Sequence, residues 1–346
     1  MNDSRRKIIL AGGSGFLGQL LAGHLQARGW EPVVLTRRPS PSARFKELPW
    51  DARTVGEWAR ELEGAEAVIN LAGRSVNCRF TPENKRLVMD SRVDSTRAIG
   101  EAIARCAQPP QAWLNCGTAT IYRHTFGAAH DEASTDFATT PSVHDAFSVE
   151  VARVWEQAVA EGLQAGAPAR LVTGGGACPT TSKLGTRQVT LRISLVFGTV
   201  PGGVVQILRR LARLGLGGRM GSGKQFVSWI HEEDFCRAVE WILEHETLHG
   251  PVNLAAPEPL PNVEMMRTFR RVCGGVPFGL PAFEWMLEVG ALVMRTETEL
   301  ILKSRRVAPG KLLADGFAFR FPRMEGALRE LEQRMSGKCM DHGFRG

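Results

Sequence analysis

Three glycines spaced Gly-x-x-Gly-x-x-Gly stand at Gly12, Gly15 and Gly18, within the run Ala11-Gly12-Gly13-Ser14-Gly15-Phe16-Leu17-Gly18. The run follows a short apolar segment, Lys7 to Ala11, and opens a stretch of helical periodicity from Gly15 to Arg28. That strand-to-helix context is what turns a glycine pattern into a phosphate site. The three glycines do different things. Gly12 permits a tight turn, Gly15 lets the backbone approach a pyrophosphate, and Gly18 lets the helix pack on the strand. The helix N-terminus adds amide donors and positive potential. Gly13, Ser14, Phe16 and Leu17 complete the loop.

About twenty residues after the first glycine, an NAD site presents a carboxylate to the ribose hydroxyls. This chain has Thr36-Arg37-Arg38 there instead. A guanidinium forks onto a phosphate dianion through charge-assisted hydrogen bonds, so Arg37 and Arg38 suit a ribose carrying a 2′-phosphate, and the expected cofactor is NADP(H). Asn70-Leu71-Ala72-Gly73 ends a later strand-like run. Leu71, Ala72 and Gly73 are expected at the carboxyl edge of the sheet, where the small side chains let the cofactor approach.

Three other patterns invite chemistry and are better explained without it. His245-Glu246-Thr247-Leu248-His249 spells a zinc-protease motif, but Gly250-Pro251 ends the helix at once, and the histidines read as polar residues of a helix C-terminus. Gly218 to Lys224 matches a phosphate loop, yet Gln225 stands where a Mg²⁺-binding hydroxyl belongs. His231, Glu232 and Asp234 begin a helix, where capping and the macrodipole account for them.

The elements that must carry these residues alternate. Strand-like runs at Lys7–Ala11, Pro32–Thr36, Ala67–Leu71, Ala112–Cys116 and Gln188–Ser194 are interleaved with helical stretches at 15–28, 94–105 and 147–161. Such alternation predicts an α/β Rossmann-type, doubly wound parallel sheet. A segment near 162–186, containing Gly174-Gly175-Gly176, reads as a surface insertion. Beyond Gly198 the pattern becomes helical, at 204–214, 234–244, 262–272 and 283–302, with a short strand at 252–254. The expected division is a cofactor domain over 1–200 and a smaller, mostly helical C-terminal lobe over 201–335.

Composition excludes several function classes. The chain of 346 residues is 43% hydrophobic and 23% charged, ordinary for a globular protein. Its formal charge of +7 is scattered without a basic run, so nucleic acid is not an expected partner and a small-molecule substrate is. No apolar run approaches the roughly 20 residues of a membrane span. Seven cysteines without a Cys-x-x-Cys pair indicate neither a disulfide framework nor zinc, and a reducing cytoplasm is expected.

Taken together, these motifs resemble the extended short-chain dehydrogenase/reductase superfamily. Thr118-Ala119-Thr120-Ile121-Tyr122 is similar to the Ser-x-x-Val-Tyr segment of sugar-nucleotide epimerases. That likeness implies that Thr118 hydrogen-bonds the reacting oxygen. Asp90-Ser91-Arg92-Val93, Ser95-Thr96-Arg97, Leu214 to Gly218, Gly221 to Gln225 and Ser228-Trp229-Ile230-His231 resemble more narrowly the YfcH-like epimerase family. Its DUF1731-like module is similar to about 281–331, including Val307-Ala308-Pro309 and Phe321-Pro322. The superfamily's proton-transfer pair is Tyr-x-x-x-Lys, but the matching positions hold Phe147 and Val151, a loss the subgroup shares. The resemblance implies an NADP(H)-dependent, epimerase-like oxidoreductase and homodimerisation through two helices of the sheet domain. Thr118 is then the orienting group and Tyr122, the chain's single tyrosine, a proton donor, with Arg123 or Lys224 as substrate clamps. The missing pair supports an alternative, a non-catalytic NADP(H)-binding protein.

Overall fold

The computed structural model describes residues 6–162, 185–274, 276, 278–293 and 297–341. Its strands are β1 (Arg6–Ala11), β2 (Trp30–Thr36), β3 (Lys46–Pro49), β4 (Ala67–Asn70), β5 (Ala112–Thr118), β6 (Arg187–Ile193), β7 (Leu195–Phe197), β8 (Phe226–Val227), β9 (Trp229–His231), β10 (Gly250–Leu254) and β11 (Leu260–Pro261). The helices are α1 (Phe16–Gln26), α2 (Pro82–Ala104), α3 (Ala146–Gly162), α4 (Val204–Arg213), α5 (Glu232–Glu244), α6 (Asn262–Cys273), α7 (Glu284–Val293), α8 (Glu299–Leu302), α9 (Gly310–Ala314) and α10 (Met324–Asp341).

Seven strands form one parallel sheet in the order β10-β6-β5-β4-β1-β2-β3. The β1 side chains from Ile8 to Ala11 are all buried, because helices cover both faces and a strand of this kind need not alternate apolar with polar. Ile8 and Leu10 face α1 and α5, in a core with Leu21, Leu25, Phe235 and Val239. Ile9 and Ala11, of opposite parity, meet Ile99, Ile103 and Trp113 on the other face. The chain runs outward from β1 to β3 and then returns to place β4 on the far side of β1. The crevice between the carboxyl ends of β1 and β4 is therefore the topological switch point where such sheets take ligands. The glycine loop leaves β1 at that point.

The second lobe packs Phe269 of α6 with Leu208 of α4 and with Leu328 and Leu331 of α10. Its boundary differs from the expected division at residue 200. The chain leaves the sheet after β6, builds α4 and α5, and returns to add β10 alongside β6, with Gly250 to Leu254 in register with Val189 to Ile193. The sheet thus takes its last strand from residues 250–254, beyond a segment that belongs to the second lobe, because a short apolar strand carries no local mark of the sheet it will join.

Helix α2 starts at Pro82, well before the expected Asp94. Thr81 accepts a hydrogen bond from Asn84 N, and a proline at the first helical position suits the unpaired donors there. The expected helix over 283–302 appears as α7 and α8, and part of the stretch between them lies outside the described residues. The glycine-rich insertion near 162–186 lies, but for its ends, outside the described residues. Among the described residues no helix is long and apolar enough to cross a membrane.

Candidate functional site

Gly12 takes φ +74°, a conformation that side chains resist, and its N–H donates to Leu35 O at 2.8 Å. A Cβ on Gly12 would lie 2.8 Å from the Ala72 backbone, and one on Gly13 would lie 2.8 Å from Leu10 O. A Cβ on Gly18 would lie 2.4 Å from Gly13 Cα and O. Gly18 therefore serves the approach of α1 to the loop rather than to the strand itself, and Gly13 is sterically required in a way that the three-glycine pattern does not reveal. Gly15 differs. A Cβ there would meet only Gly12 O, at 3.8 Å, so the space beside it is open. Gly15 is also the N-cap of α1 and no side chain caps it, which leaves the first amides of the helix to a ligand. A diphosphate fits this cradle: the three filled positions shape it and the fourth leaves room.

Thr36, at the end of β2, ties this loop to the arginines. Its hydroxyl donates to Ser14 Oγ at 3.0 Å and accepts from Arg38 N at 3.4 Å. Arg37 and Arg38 are exposed at the carboxyl end of β2, beside the loop. On the other side of β1, Leu71 N donates to Ala11 O at 2.8 Å and Ala72 N donates to Asn70 Oδ1 at 3.1 Å. Asn70, fully buried, also donates from Nδ2 to Asn115 Oδ1 at 2.8 Å and to Thr96 Oγ1 at 3.2 Å. This polar network under the Leu71-Ala72-Gly73 turn fixes its geometry, since each buried polar atom must find a partner. The carboxyl edge thus brings Gly12 to Gly18, Arg37, Arg38 and Leu71 to Gly73 next to one another. Gly73 is exposed and lies against Arg92, and burial of that guanidinium pushes its pKa down to about 10.

Thr118 ends β5 half-buried. Its hydroxyl accepts from Thr120 N at 3.2 Å, which leaves its own proton available to an acceptor in the cleft. Tyr122 is a correction. It is buried, its hydroxyl donates to Asn253 Oδ1 at 2.9 Å, and it accepts from Arg192 Nη1 at 2.8 Å. Arg192 in turn grips Glu156 with two hydrogen bonds of 2.7 and 2.8 Å, and the Tyr122 ring stacks on His130. Burial raises the phenol's pKa further above its ordinary value. Tyr122 is a structural side chain that joins β6, β10 and the loop after β5, and it does not serve a substrate as proton donor.

At the positions of the absent proton-transfer pair, Phe147 meets Phe80 edge-on with ring centroids 4.9 Å apart, and Val151 is buried. Arg123 is exposed and 3.7 Å from Asp136, and Lys224 is exposed on its glycine loop, where Gln225 is buried and donates to Met220 O at 2.8 Å. Sequence reasoning missed a charged cluster between the lobes. Lys303 and Asp145 are both fully buried, with Nζ 2.9 Å from Asp145 Oδ2 and donating to Thr120 O at 2.8 Å. Glu299 accepts from Ser148 Oγ at 2.6 Å, and Arg305 donates to Thr120 Oγ1 at 3.1 Å. Burial lowers the Lys303 pKa and raises that of Glu299. The only signal was that Lys303 and Arg305 belong to the module resembled at about 281–331, which carries no hint of what it touches.

The competing motifs find plain roles. Helix α5 ends at Glu244, and His245, its extended C-cap, stacks on Trp241 and meets Trp241 O through Nδ1 at 2.9 Å. His245 and His249 therefore share no helix face. His231 caps the N-terminus of α5 by accepting from Glu233 N at 3.1 Å, while the Asp234 carboxylate accepts from Arg320 N and Phe321 N.

Comparison with known proteins matches residues 8–158 to the NAD dependent epimerase/dehydratase family and residues 282–331 to a domain of unknown function, DUF1731. The chain is 33% identical over 337 residues to the epimerase family protein SDR39U1 of Bos taurus, covering 94% of this chain and 99% of that protein. It is 28% identical to the epimerase family protein YfhF of Bacillus subtilis, over 94% and 97% of the two chains. The crystal structure of human SDR39U1 (isoform 2) with NADPH superposes with a TM-score of 0.76 at 30% identity, covering 94% of this chain and 99% of that one. A UDP-N-acetylglucosamine 4-epimerase from Bacillus cereus, 18% identical with a TM-score of 0.69, shares the fold.

Proposed function

The chain belongs to the NAD dependent epimerase/dehydratase family, with a DUF1731 module at its C-terminal end, and from that premise we propose that it is an NADP(H)-dependent oxidoreductase acting on a small polar substrate. The observation that carries the cofactor half is the open space at Gly15 above an uncapped helix N-terminus, with Arg37 and Arg38 beside it. The NADPH in the human SDR39U1 structure supports the same reading. When bound, the nicotinamide supplies or accepts the hydride.

The chain's own residues do the rest. The loop from Gly12 to Gly18 holds the diphosphate with backbone amides, and Arg37 and Arg38 hold the 2′-phosphate. Leu71, Ala72 and Gly73 form the adjoining wall. Thr118, with its hydroxyl oriented by Thr120 N, donates a hydrogen bond to the reacting oxygen of the substrate. Cytoplasmic residence and homodimerisation through two helices of the sheet domain belong to this reading.

The replacement of the dyad by Phe147 and Val151 favours a second reading, a non-catalytic protein that binds NADP(H) and reports its state to a partner. Fluorescence titration tests the cofactor: NADPH is expected to bind at least tenfold more tightly than NADH, and Arg37→Ala with Arg38→Ala is expected to abolish the difference. Equal affinities in the unaltered protein would refute it. Screening NADPH oxidation against carbonyl compounds, with Thr118→Ala as comparison, separates the two readings. Turnover that depends on Thr118 supports catalysis, and no turnover on any compound supports the sensor.

A further inference from the structure

A cavity of about 650 Å³ opens over the N-termini of α2 and α3, beside the position of the missing tyrosine. Phe80 and Phe147 line it, with Lys85, Asp145, Arg79 and Glu297 as its charged residues. It adjoins the candidate reaction site, because the Lys303 ammonium spans from Asp145 Oδ2, at 2.9 Å, to Thr120 O, at 2.8 Å, two residues beyond Thr118.

The charges around this cavity do not cancel. Lys303 compensates Asp145, and Glu297 is occupied by Phe80 N at 2.7 Å and Arg79 at 3.4 Å. Lys85 has no carboxylate partner among the described residues and sits 5.3 Å from the centre of the Phe147 ring. The N-terminus of α3 adds to this. Asp145 directly precedes α3, where a capping carboxylate is expected, but it spends one oxygen on Thr140 N, at 2.6 Å, and the other on Lys303. Ala146 and Phe147, which open the helix, line the cavity with their amides unclaimed by that side chain. An exposed lysine with no carboxylate partner among the described residues, a helix end whose preceding carboxylate is engaged elsewhere and two aromatic rings together describe a receptor for an anion with an apolar body.

Resting on the oxidoreductase reading, we propose that this cavity binds the substrate by a carboxylate or phosphate held on Lys85 and the first amides of α3. The substrate's apolar portion lies against Phe80 and Phe147. The substrate class is thus a small carbonyl or hydroxyl compound bearing an anionic group and an apolar or aromatic portion. Phe147 then contributes to binding at the position where relatives of the wider superfamily carry a proton-transfer tyrosine.

Isothermal calorimetry of the full chain, with and without saturating NADPH, tests this with phenyl phosphate, benzoate and inorganic phosphate as probes. Phenyl phosphate or benzoate is expected to bind, and the stronger of the two identifies phosphate or carboxylate as the anion. Lys85→Glu is expected to weaken that binding about tenfold or more, a charge-assisted hydrogen bond being lost. Arg86→Glu, on the same helix but outside the cavity, is expected to leave it intact. Phe147→Ala is expected to bring phenyl phosphate down towards inorganic phosphate. The proposal is overturned if neither aromatic anion binds, if Lys85→Glu and Arg86→Glu act alike, or if binding is lost in the Arg37→Ala, Arg38→Ala protein, which would place the anion in the cofactor loop. NADPH preference without anion binding defeats this inference and leaves the cofactor reading standing; no NADPH preference defeats that reading.

Discussion

Replacing Gly15 by Ala separates folding from ligand approach, because in the free protein almost nothing opposes the new methyl. The Cβ would meet Gly12 O at 3.8 Å, an ordinary contact, and φ −76° with ψ 174° is extended backbone that alanine adopts freely. A Gly→Ala change at such a position stabilises by about 0.4–1 kcal/mol, by removing freedom from the unfolded chain, against about 1 kcal/mol lost when alanine replaces a good N-cap. The folded state is therefore expected to change by less than about 1 kcal/mol, or a few degrees in Tm. In the proposed site, by contrast, NADPH would meet a methyl where its diphosphate comes closest to the backbone, and its affinity is expected to fall at least tenfold, about 1.4 kcal/mol. Gly18→Ala is the opposite case. Its Cβ lies 2.4 Å from Gly13 backbone atoms, which cannot yield as a flexible side chain can, so stability itself should fall by about 1–3 kcal/mol or more. Urea unfolding of the free proteins and fluorescence titration with NADPH measure the two quantities separately. Unaltered NADPH affinity in folded Gly15→Ala would falsify the assignment of Gly15 as the point of diphosphate approach.

The other expectations concern stability. Burial first, then Arg334, pushes His231 down to about 4 from 6.5, although Asp234 and Glu233 pull the other way. The unfolded chain therefore takes up a proton that the folded chain refuses, so His231 contributes fully above pH 6.5 and progressively less towards pH 4. The difference amounts to roughly 2 kcal/mol by pH 5. Urea unfolding at pH 7.5 and 5 should show a steeper acid loss for the native chain than for His231→Gln, and parallel losses would refute the argument. Lys303→Met strands the Asp145 carboxylate in the interior and should cost about 3–5 kcal/mol, with Asp145→Asn restoring part of it. If the double variant is no more stable than Lys303→Met alone, the pair is not coupled as drawn.

Features written in contiguous residues were legible in the sequence. The glycine loop, the absent carboxylate at Arg37 and Arg38 and the runs of β1, β2, β4 and β5 depend on neighbours a few positions away. What escaped was set by distant partners. Tyr122 has the right chemistry for a proton donor, but its role is decided by Arg192 and Asn253, 70 and 131 positions away. Lys303 braces Thr120 across 183 positions. Thr36 lay between the glycine loop and the arginines in the sequence, yet its hydrogen bond to Ser14 appears only once β1 and β2 are paired. The position of β10 follows the same rule, since nothing within Gly250–Leu254 names β6 as its neighbour.

The late arrival of β10 bears on how the molecule is made and on how it can be cut. Until Leu254 has left the ribosome, β6 is the last strand of an unfinished sheet, and the edge it presents includes Val189 and Leu191, which are fully buried in the finished protein. An apolar edge with unpaired N–H and C=O groups recruits strands from other chains. A fragment ending near residue 200, the division the sequence pattern suggests, would carry the whole glycine loop and both arginines and still be a poor minimal cofactor domain. The edge strand it lacks is reached only after the chain has passed through α4 of the other lobe, so the two lobes are interleaved in synthesis as well as in space.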